Sequence, residues 1–229
     1  MASSSTVEIT HPDPSQQTLQ ERERFLQAWT SNSCSNESVI SLEEGWDILD
    51  RYGIKMIEKS LIDNSSSEIP MGAKGFASLY TISYKLSTSE KIEIEDFSKV
   101  LYDRCKLSVE NYIRANFVNK LIGVNGINFL RVFVDGWKKH KLLTSWMWRL
   151  FMNLDKTVVR TEALPTITSC CLKCFYDLAF KTHLDVLRRG LLDCTAMDRD
   201  GTLHDNSILK EVVEVNKFSL LLCKSFAQY

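Results

Sequence analysis

The sequence has few of the residues that interrupt helices: among its 229 residues, 9 are glycine and 4 are proline. This scarcity disfavours turn-rich folds built from strands, and no segment alternates polar and apolar residues as a half-buried strand does. The sequence also lacks an apolar run long enough to span a membrane, and its first residues lack the charged-then-apolar pattern of a secretory signal. We therefore expect an all-α protein with no membrane partner.

The sequence also lacks a strong excess of positive or negative charge: its formal net charge is −1. No general attraction to nucleic acid or to anionic membranes is expected at this charge. Hydrophobic residues make up 44% and charged residues 25% of the chain, as in ordinary globular domains that bury a core. The seven cysteines are an odd number and fall mostly in helical patterns. These features favour a reduced protein of the cytoplasm and/or nucleus.

Motifs that carry catalysis are absent from the sequence. There is no nucleophile elbow, no glycine-rich phosphate loop, no HExxH pair and no paired carboxylates, so we expect neither enzymatic activity nor a cofactor. The C-x-x-C formed by Cys171 and Cys174 lacks the second ligand pair of a zinc site, which favours ordinary thiols. The basic stretch at residues 138–141 is interpreted as a solvated helix end, with weak nucleic-acid binding as the alternative.

The most apolar and aromatic part of the chain lies between residues 129 and 158. Its apolar positions recur at steps of three and four, as on one helical face: Leu143, Met147, Leu150, Leu154 and Val158. We expect this segment to be central to a bundle, with Trp137, Leu150 and Leu154 buried. Two helices are expected here, at about 127–140 and 142–160, although residues 138–141 contain no helix breaker.

The N-terminal 40 residues are rich in Ser, Thr, Asn, Gln and Pro and predict a mostly disordered leader. Residues 19–29 could form a short amphipathic helix, too short to be stable alone. Order is expected from Ser41, which forms a capping-box pattern with Glu44 before a helix that ends near Ile62. Further helices are predicted over 94–122, 167–180, 184–197 and 207–218, followed by an apolar tail.

Residues 75–86 carry two different helical stripes. One is suited to the core and contains Leu79, Ile82, Ser83 and Leu86. The other is a line of aromatic residues at steps of four: Phe76, Tyr80 and Tyr84. These rings could all be buried, which is the common fate of aromatic residues at helical spacing. Because the helix already has a core stripe, we expect the aromatic line to face outward and to form a partner interface.

Six short motifs occur in the order in which they occur in cullins: Leu42-Glu-Glu-Gly-Trp-Asp, Phe76-x-x-x-Tyr80-x-x-x-Tyr84, Val100-Leu-Tyr-Asp103, Trp137-x-x-His140, Asn153-Leu-Asp-Lys156 and Cys174-Phe-x-Asp-Leu178. Over residues 41–218 the sequence resembles the N-terminal region of cullins, in particular plant cullin-1-like proteins. The resemblance implies a cullin-repeat helical bundle, with one five-helix repeat over 41–162 and part of a second over 163–229.

The resemblance also implies a function. In cullins, the second and fifth helices of this repeat bind a BTB-fold adaptor, which carries an F-box receptor in ubiquitin-dependent protein degradation. The matching positions here are Phe76, Tyr80 and Tyr84 on the second helix, and Asn153 and Lys156 on the fifth. We therefore expect a non-catalytic, adaptor-binding module. The alternative is a helical-repeat scaffold with an unrelated protein partner or with weak nucleic-acid binding.

Two departures from the cullin pattern modify this expectation. Ala77 and Asn153 stand where plant-cullin-like sequences tend to carry a larger apolar or aromatic residue, so a reduced affinity for the adaptor is expected. The half of a cullin that recruits the RING-box protein and carries a modifiable lysine has no counterpart in the sequence. A RING-box partner is therefore not expected.

Overall fold

The computed structural model describes residues 12–35, 40–63, 70–88, 97–200, 207, 210–215 and 217. Within these ranges the chain forms helices and no strand, so the all-α prediction is confirmed. The predictions for residues 1–11 and for the tail at 219–229 lie outside the described residues. No helix in the described ranges combines the length and the apolar character needed to cross a membrane.

Ten α-helices follow one another in the main described part of the chain. They are α1 (Leu19–Ser35), α2 (Leu42–Ile48), α3 (Lys55–Ile62), α4 (Gly72–Thr88), α5 (Phe97–Ile113), α6 (Asn119–Leu121), α7 (Gly126–Phe151), α8 (Val158–Glu162), α9 (Ile167–Phe175) and α10 (Leu184–Arg199). π-Helical segments connect α2 to α3, at Leu49–Ile54, and α5 to α6, at Arg114–Val118. The helix predicted over 94–122 is therefore seen from residue 97 onwards.

The start and end of the first predicted helix agree with the sequence. The Ser41 side chain accepts a hydrogen bond from the Glu44 backbone N–H at 3.2 Å, which satisfies one of the free donors at a helix N-terminus. The helical path then continues through α2 and the π-helical segment to the end of α3 at Ile62. This part of the local structure follows from a capping residue and helical periodicity alone.

The core is centred on α7, as predicted. Trp137, Leu150 and Leu154 are all buried. An aromatic cluster joins α7 to its neighbours: the Phe133 ring lies 5.4 Å from that of Phe117 and 5.8 Å from that of Phe175. Gly136 makes this packing possible, because a Cβ atom at that position would collide with the Phe117 ring.

The predicted break in this central segment is wrong. The structure has one continuous helix, α7, from Gly126 to Phe151, where two helices at 127–140 and 142–160 were expected. Residues 138–141 therefore lie inside a helix rather than at its end. His140 is buried and stacks on Phe175 with ring centroids 4.8 Å apart. The helix ends instead at a turn over residues 152–157.

The expectation of a mostly disordered leader is wrong for residues 12–35. The short helix considered at residues 19–29 is part of α1, which runs from Leu19 to Ser35 and packs along α4. Leu26 is fully buried, with 0% exposure. The Glu23 carboxylate accepts a hydrogen bond from the Lys74 backbone N–H at 3.2 Å, in the first turn of α4. Tertiary packing thus stabilises a helix that would be marginal alone.

A short connection leads from α8 to α9. Ala163 ends α8 in a left-handed conformation, with φ of 52°. The Asp155 carboxylate then accepts a hydrogen bond from the Ile167 backbone N–H at 2.8 Å, and the Tyr102 hydroxyl donates to the Pro165 carbonyl at 2.8 Å. These bonds fix the start of α9 against the preceding helices. The division of the chain at residues 162/163 into two repeats stays a prediction.

Candidate interaction surface

The two stripes predicted on α4 differ in burial. Leu79, Ile82, Ser83 and Leu86 are fully buried. On the other flank, Phe76 and Tyr80 are half-buried, and the Tyr84 side chain is 48% exposed. The aromatic line is therefore neither part of the core nor fully in solvent. Phe76 and Tyr80 lie at the edge where α4 packs against α7 and the turn after it, and Tyr84 continues the line one turn further along α4.

Helix α7 adds to this edge two residues, Trp146 and Arg149, that were not among the predicted site residues. The Trp146 ring lies 6.0 Å from the Phe76 ring in an edge-to-face arrangement. The Arg149 guanidinium lies 4.9 Å from the Trp146 ring centroid, a cation–π contact between residues three positions apart on one helix. The signal in the sequence was the position of Trp146, which lies three residues after Leu143 and four before Leu150, at the flank of the apolar stripe of α7. We call Phe76, Tyr80, Tyr84, Trp146 and Arg149 the α4–α7 surface.

Asn153 was expected to be one of the adaptor-binding positions, but it is not on the surface. Its side chain is 4% exposed. The Tyr80 hydroxyl donates to the Asn153 amide oxygen at 3.4 Å, a long bond, and the Asn153 amide nitrogen is buried without a protein partner. The structure thus brings Tyr80 and Asn153 together, with Asn153 underneath. It does not place Asn153 where a partner could contact it directly.

The other predicted positions near this turn are exposed. Lys156 is exposed, and its backbone N–H donates to the Asn153 carbonyl at 3.0 Å. Ala77 is exposed on α4, so a larger side chain has room there. By contrast, a larger side chain at the buried Asn153 position would have to displace its neighbours. The two departures from the cullin pattern are therefore not equivalent.

The basic stretch identified in the sequence is engaged in local interactions. Lys138 pairs with Glu211 at 2.7 Å, and Lys139 pairs with Asp135 at 2.9 Å. His140, between them and Lys141, is buried. Lysines that already have acidic neighbours present little net charge to a phosphate backbone. No observation on the described residues favours the nucleic-acid alternative.

The cysteines of the C-x-x-C pattern are buried thiols. Cys171 and Cys174 both lie in α9 with little exposure. Within the described part of the chain, no group of three or more His, Cys, Asp or Glu residues is arranged to hold a metal ion. The described cysteines are all unpaired. The geometry therefore offers no metal centre at this pattern.

Comparison with known proteins shows which sequences this chain is similar to. A model of the cullin alpha solenoid domain matches residues 55–221. Cullin-1 of Oryza sativa subsp. japonica is 27% identical over 176 residues, which is 77% of this chain and 23% of that protein. Putative cullin-like protein 1 of Arabidopsis thaliana is 28% identical over 179 residues, covering 78% of this chain and 24% of that protein.

A shorter relative is Putative cullin-like protein 2 of Arabidopsis thaliana. It is 24% identical over 187 residues, or 81% of this chain and 48% of that protein. This chain thus spans 23–24% of the length of the first two relatives and 48% of the third.

The fold and the α4–α7 surface define a class of protein: an all-α helical-repeat protein with a partly exposed aromatic edge. The matched region, residues 55–221, covers most of the chain. The chain belongs to the cullin family.

Proposed function

We propose that this chain is a non-catalytic arm of a cullin-RING (SCF-type) ubiquitin ligase and that its α4–α7 surface docks a BTB-fold adaptor. Through the adaptor it would hold F-box receptors, in the cytoplasm and/or nucleus. The observation that carries the proposal is the partial exposure of Phe76, Tyr80 and Tyr84 on a helix whose other stripe is fully buried. Membership of the cullin family supports the same conclusion. The absence of a RING-box partner remains a prediction.

The chemistry of the α4–α7 surface suits a protein partner. Aromatic rings supply large contact areas and lose little rotamer freedom on binding. The Tyr80 ring is held between α4 and the turn after α7 by its bond to Asn153, so it is preorganised. Arg149 places positive charge beside the Trp146 ring, and Lys156 is an exposed cation in the turn after α7. A complementary adaptor surface would combine a shallow apolar groove with acidic residues at its rim.

The proposal is tested by measuring adaptor affinity for variants of Tyr80. Because interface energy concentrates in a few aromatic anchors, Tyr80→Ala is expected to lose about 2 kcal/mol of binding, roughly thirtyfold in affinity. Tyr80→Phe removes only the hydroxyl and its long bond to Asn153, so it is expected to lose less than about 1 kcal/mol. Calorimetric titration with a plant SCF-type adaptor gives both values.

A control substitution outside the α4–α7 surface separates local from general effects on the affinity. Leu192→Ala removes a side chain that is 70% exposed on α10 and is expected to leave the affinity unchanged. Thermal melts of all variants report whether the fold survives. If Tyr80→Ala stays folded and binds the adaptor as tightly as the parent chain, the adaptor-docking function is wrong for this surface. If Tyr80→Ala unfolds, Tyr84→Ala replaces it, because the Tyr84 side chain is 48% exposed.

A further inference from the structure

A groove of about 260 Å³ lies where α5 packs against α9. Two thiols line it, those of Cys170 and Cys174, together with Tyr102, Lys106 and Glu110. Cys170 is 8% exposed and Cys174 is 5% exposed. The groove thus gives a small solute access to two sulfur atoms that lie one helical turn apart on α9. It is separate from the α4–α7 surface, and nothing in the proposed function uses it.

The charged residues of this groove largely neutralise one another. Lys106 lies 4.0 Å from Glu110, and Lys173 lies 3.0 Å from Asp177. Lys99, further along the rim, lies 3.6 Å from both Asp103 and Glu162. A neutral solute can therefore enter without displacing unpaired charges. The thiols are the chemically distinctive groups of the groove.

Cys170 occupies a position that stabilises a thiolate. It lies in the first turn of α9, where its backbone N–H donates to the Thr166 carbonyl at 2.8 Å. The positive end of the helix dipole and a nearby cation both favour a thiolate over a thiol. A hydrogen bond from the Cys174 thiol, with a smaller contribution from the charge of Lys106, lowers the pKa of Cys170, although burial opposes the shift.

The donor to Cys170 can be assigned to Cys174. Tyr102 also approaches the Cys170 sulfur, but its single hydroxyl proton is already donated to the Pro165 carbonyl at 2.8 Å. The Cys174 sulfur lies 4.0 Å from a Glu110 carboxylate oxygen, at the limit for a sulfur donor. Sharing the Cys174 proton with Cys170 raises the pKa of Cys174. One sulfur is thus the better nucleophile, and the other keeps its proton.

The remaining cysteines of this region differ from this pair. Cys171 is 1% exposed and Cys105 is 2% exposed. Burial raises the pKa of both thiols. A buried, protonated thiol reacts slowly with oxidants. The structure therefore separates two thiols that line the groove from two that do not, although Cys170 and Cys171 are adjacent in sequence.

We propose that Cys170 and Cys174 form a redox-active pair that hydrogen peroxide converts to a disulfide. The Cys170 thiolate attacks one peroxide oxygen, the O–O bond breaks, and the hydroxide that leaves is protonated to water. This step oxidises Cys170 to a sulfenic acid. The Cys174 sulfur then attacks the sulfenic sulfur, and the S–O bond breaks as the S–S bond forms. The Cys174 proton, passed through Glu110, completes a second water.

The bond requires the first turn of α9 to distort. Four residues in an α-helix rise about 6 Å, within the range of about 4.4–6.8 Å between the Cα atoms of a disulfide. The Cβ atoms of such positions lie about 5–6 Å apart, however, and a disulfide brings them to about 3.5–4.5 Å. The bond would span one turn of α9 on the side that packs against α5. Reduction by a dithiol restores both sulfhydryl groups, so the modification is reversible.

Peptide mapping tests the proposal. The full chain carrying Cys34→Ser and Cys223→Ser is treated with hydrogen peroxide, blocked with an alkylating agent and digested with trypsin. Cleavage after Lys173 places Cys170 in the peptide 161–173 and Cys174 in the peptide 174–181. The expected product is these two peptides joined by a bond that a reductant cleaves. Because Cys171 shares a peptide with Cys170, the same experiment on Cys171→Ala identifies which sulfur is joined.

Three further variants make the test sharper. In Cys174→Ser, dimedone is expected to trap a sulfenic acid on Cys170, at a rate about tenfold above any labelling of Cys105, because Cys170 lines the groove near Lys106 whereas burial raises the pKa of Cys105. Cys170→Ser is expected to abolish the joined peptides, and Cys105→Ser to leave them unchanged. The proposal is overturned if the folded Cys171→Ala variant yields no joined peptides, or if Cys170 is labelled no faster than Cys105.

Discussion

His140 is a buried histidine whose protonation opposes folding. It lies within α7, stacked on Phe175, and its Nε2 lies 3.0 Å from the Cys171 carbonyl oxygen. Because a carbonyl can only accept, we assign the proton to Nε2. The other ring nitrogen, Nδ1, is buried without a partner, so a second proton there would be an unsatisfied donor. Burial accordingly lowers the pKa of His140 from 6.5 to about 4, despite the opposing effect of the Cys171 carbonyl.

This shift predicts a loss of stability in mild acid. Between pH 6.5 and pH 4 the unfolded chain binds a proton at His140 and the folded chain does not, so the free energy of unfolding falls as the pH is lowered through this range. Between pH 7.5 and 5.5 the loss from this group is expected to be about 1 kcal/mol. Urea unfolding at the two pH values measures it.

A substitution isolates the contribution of His140. Gln at position 140 can still donate to the Cys171 carbonyl but does not titrate, so His140→Gln is expected to remove about 1 kcal/mol of the pH dependence while lowering stability at both pH values. His183→Gln is the matched control, because the His183 ring also bonds a carbonyl, that of Ala179 at 2.8 Å, but is half-buried. An unchanged pH dependence in His140→Gln would contradict the assignment.

Asn153 shows where prediction of single residues from the sequence stops. Helical spacing placed Trp137 and Leu150 in the core correctly, and it separated Tyr84 from the buried stripe of α4. Asn153 is polar and follows the last residues of a helix, which are features of an exposed turn. In the structure its side chain is buried and accepts a hydrogen bond from Tyr80, a residue 73 positions away in the sequence. A local pattern carries no information about such a contact.

At the scale of an element, the continuity of α7 agrees with the lack of a helix breaker and contradicts the expected break. No glycine or proline interrupts residues 138–141, and the helix is continuous there. The expected break is therefore not a property of these residues. Lysines 138 and 139 reach acidic neighbours from the helix surface, while His140 faces the core, so an apparently polar stretch fits a buried helix without ending it.

The order of the segment that forms α1 was underestimated for a different reason. The composition of the first 40 residues indicates disorder, and the apolar residues of α1 are few. What stabilises α1 is a complementary site on other helices: Leu26 packs against Gly75, where an added Cβ would lie 3.3 Å from a Leu26 methyl group, and the Phe25 ring stacks 4.8 Å from the Tyr52 ring. Such a site is created by the fold and cannot be read from composition.

The docking of α1 predicts the effect of a substitution. Leu26→Ala is expected to lower the free energy of unfolding by about 2 kcal/mol or more, because Leu26 is fully buried and leaves a cavity. Gln27→Ala, at the neighbouring exposed position, is expected to change it by less than about 0.5 kcal/mol. Urea unfolding measures both. Equal, small effects would mean that α1 does not contribute to the cooperative fold.

At the scale of the whole molecule, the sequence predicted the class of fold from the scarcity of glycine and proline and from helical periodicity. It also predicted that the aromatic line of α4 faces outward, because the other stripe of this helix already supplies residues to the core. The identity of the protein that binds the α4–α7 surface depends on a complementary surface on that protein, which the sequence of this chain does not encode. The chain covers 23% of Cullin-1 from Oryza sativa subsp. japonica, so the activity of a whole cullin is not transferred to it.

The most direct measurement of the central claim is a competition experiment. A fluorescent SCF-type adaptor is bound to a full-length plant cullin, and the unlabelled chain is titrated into the complex while the released adaptor is followed by anisotropy. If the α4–α7 surface binds the adaptor at the site where the full-length cullin binds it, the chain displaces the full-length cullin completely. Roughly thirtyfold more of the Tyr80→Ala variant is then needed for the same displacement. A complex that retains its cullin at saturating concentrations of folded chain, or that binds both proteins at once, would contradict the account.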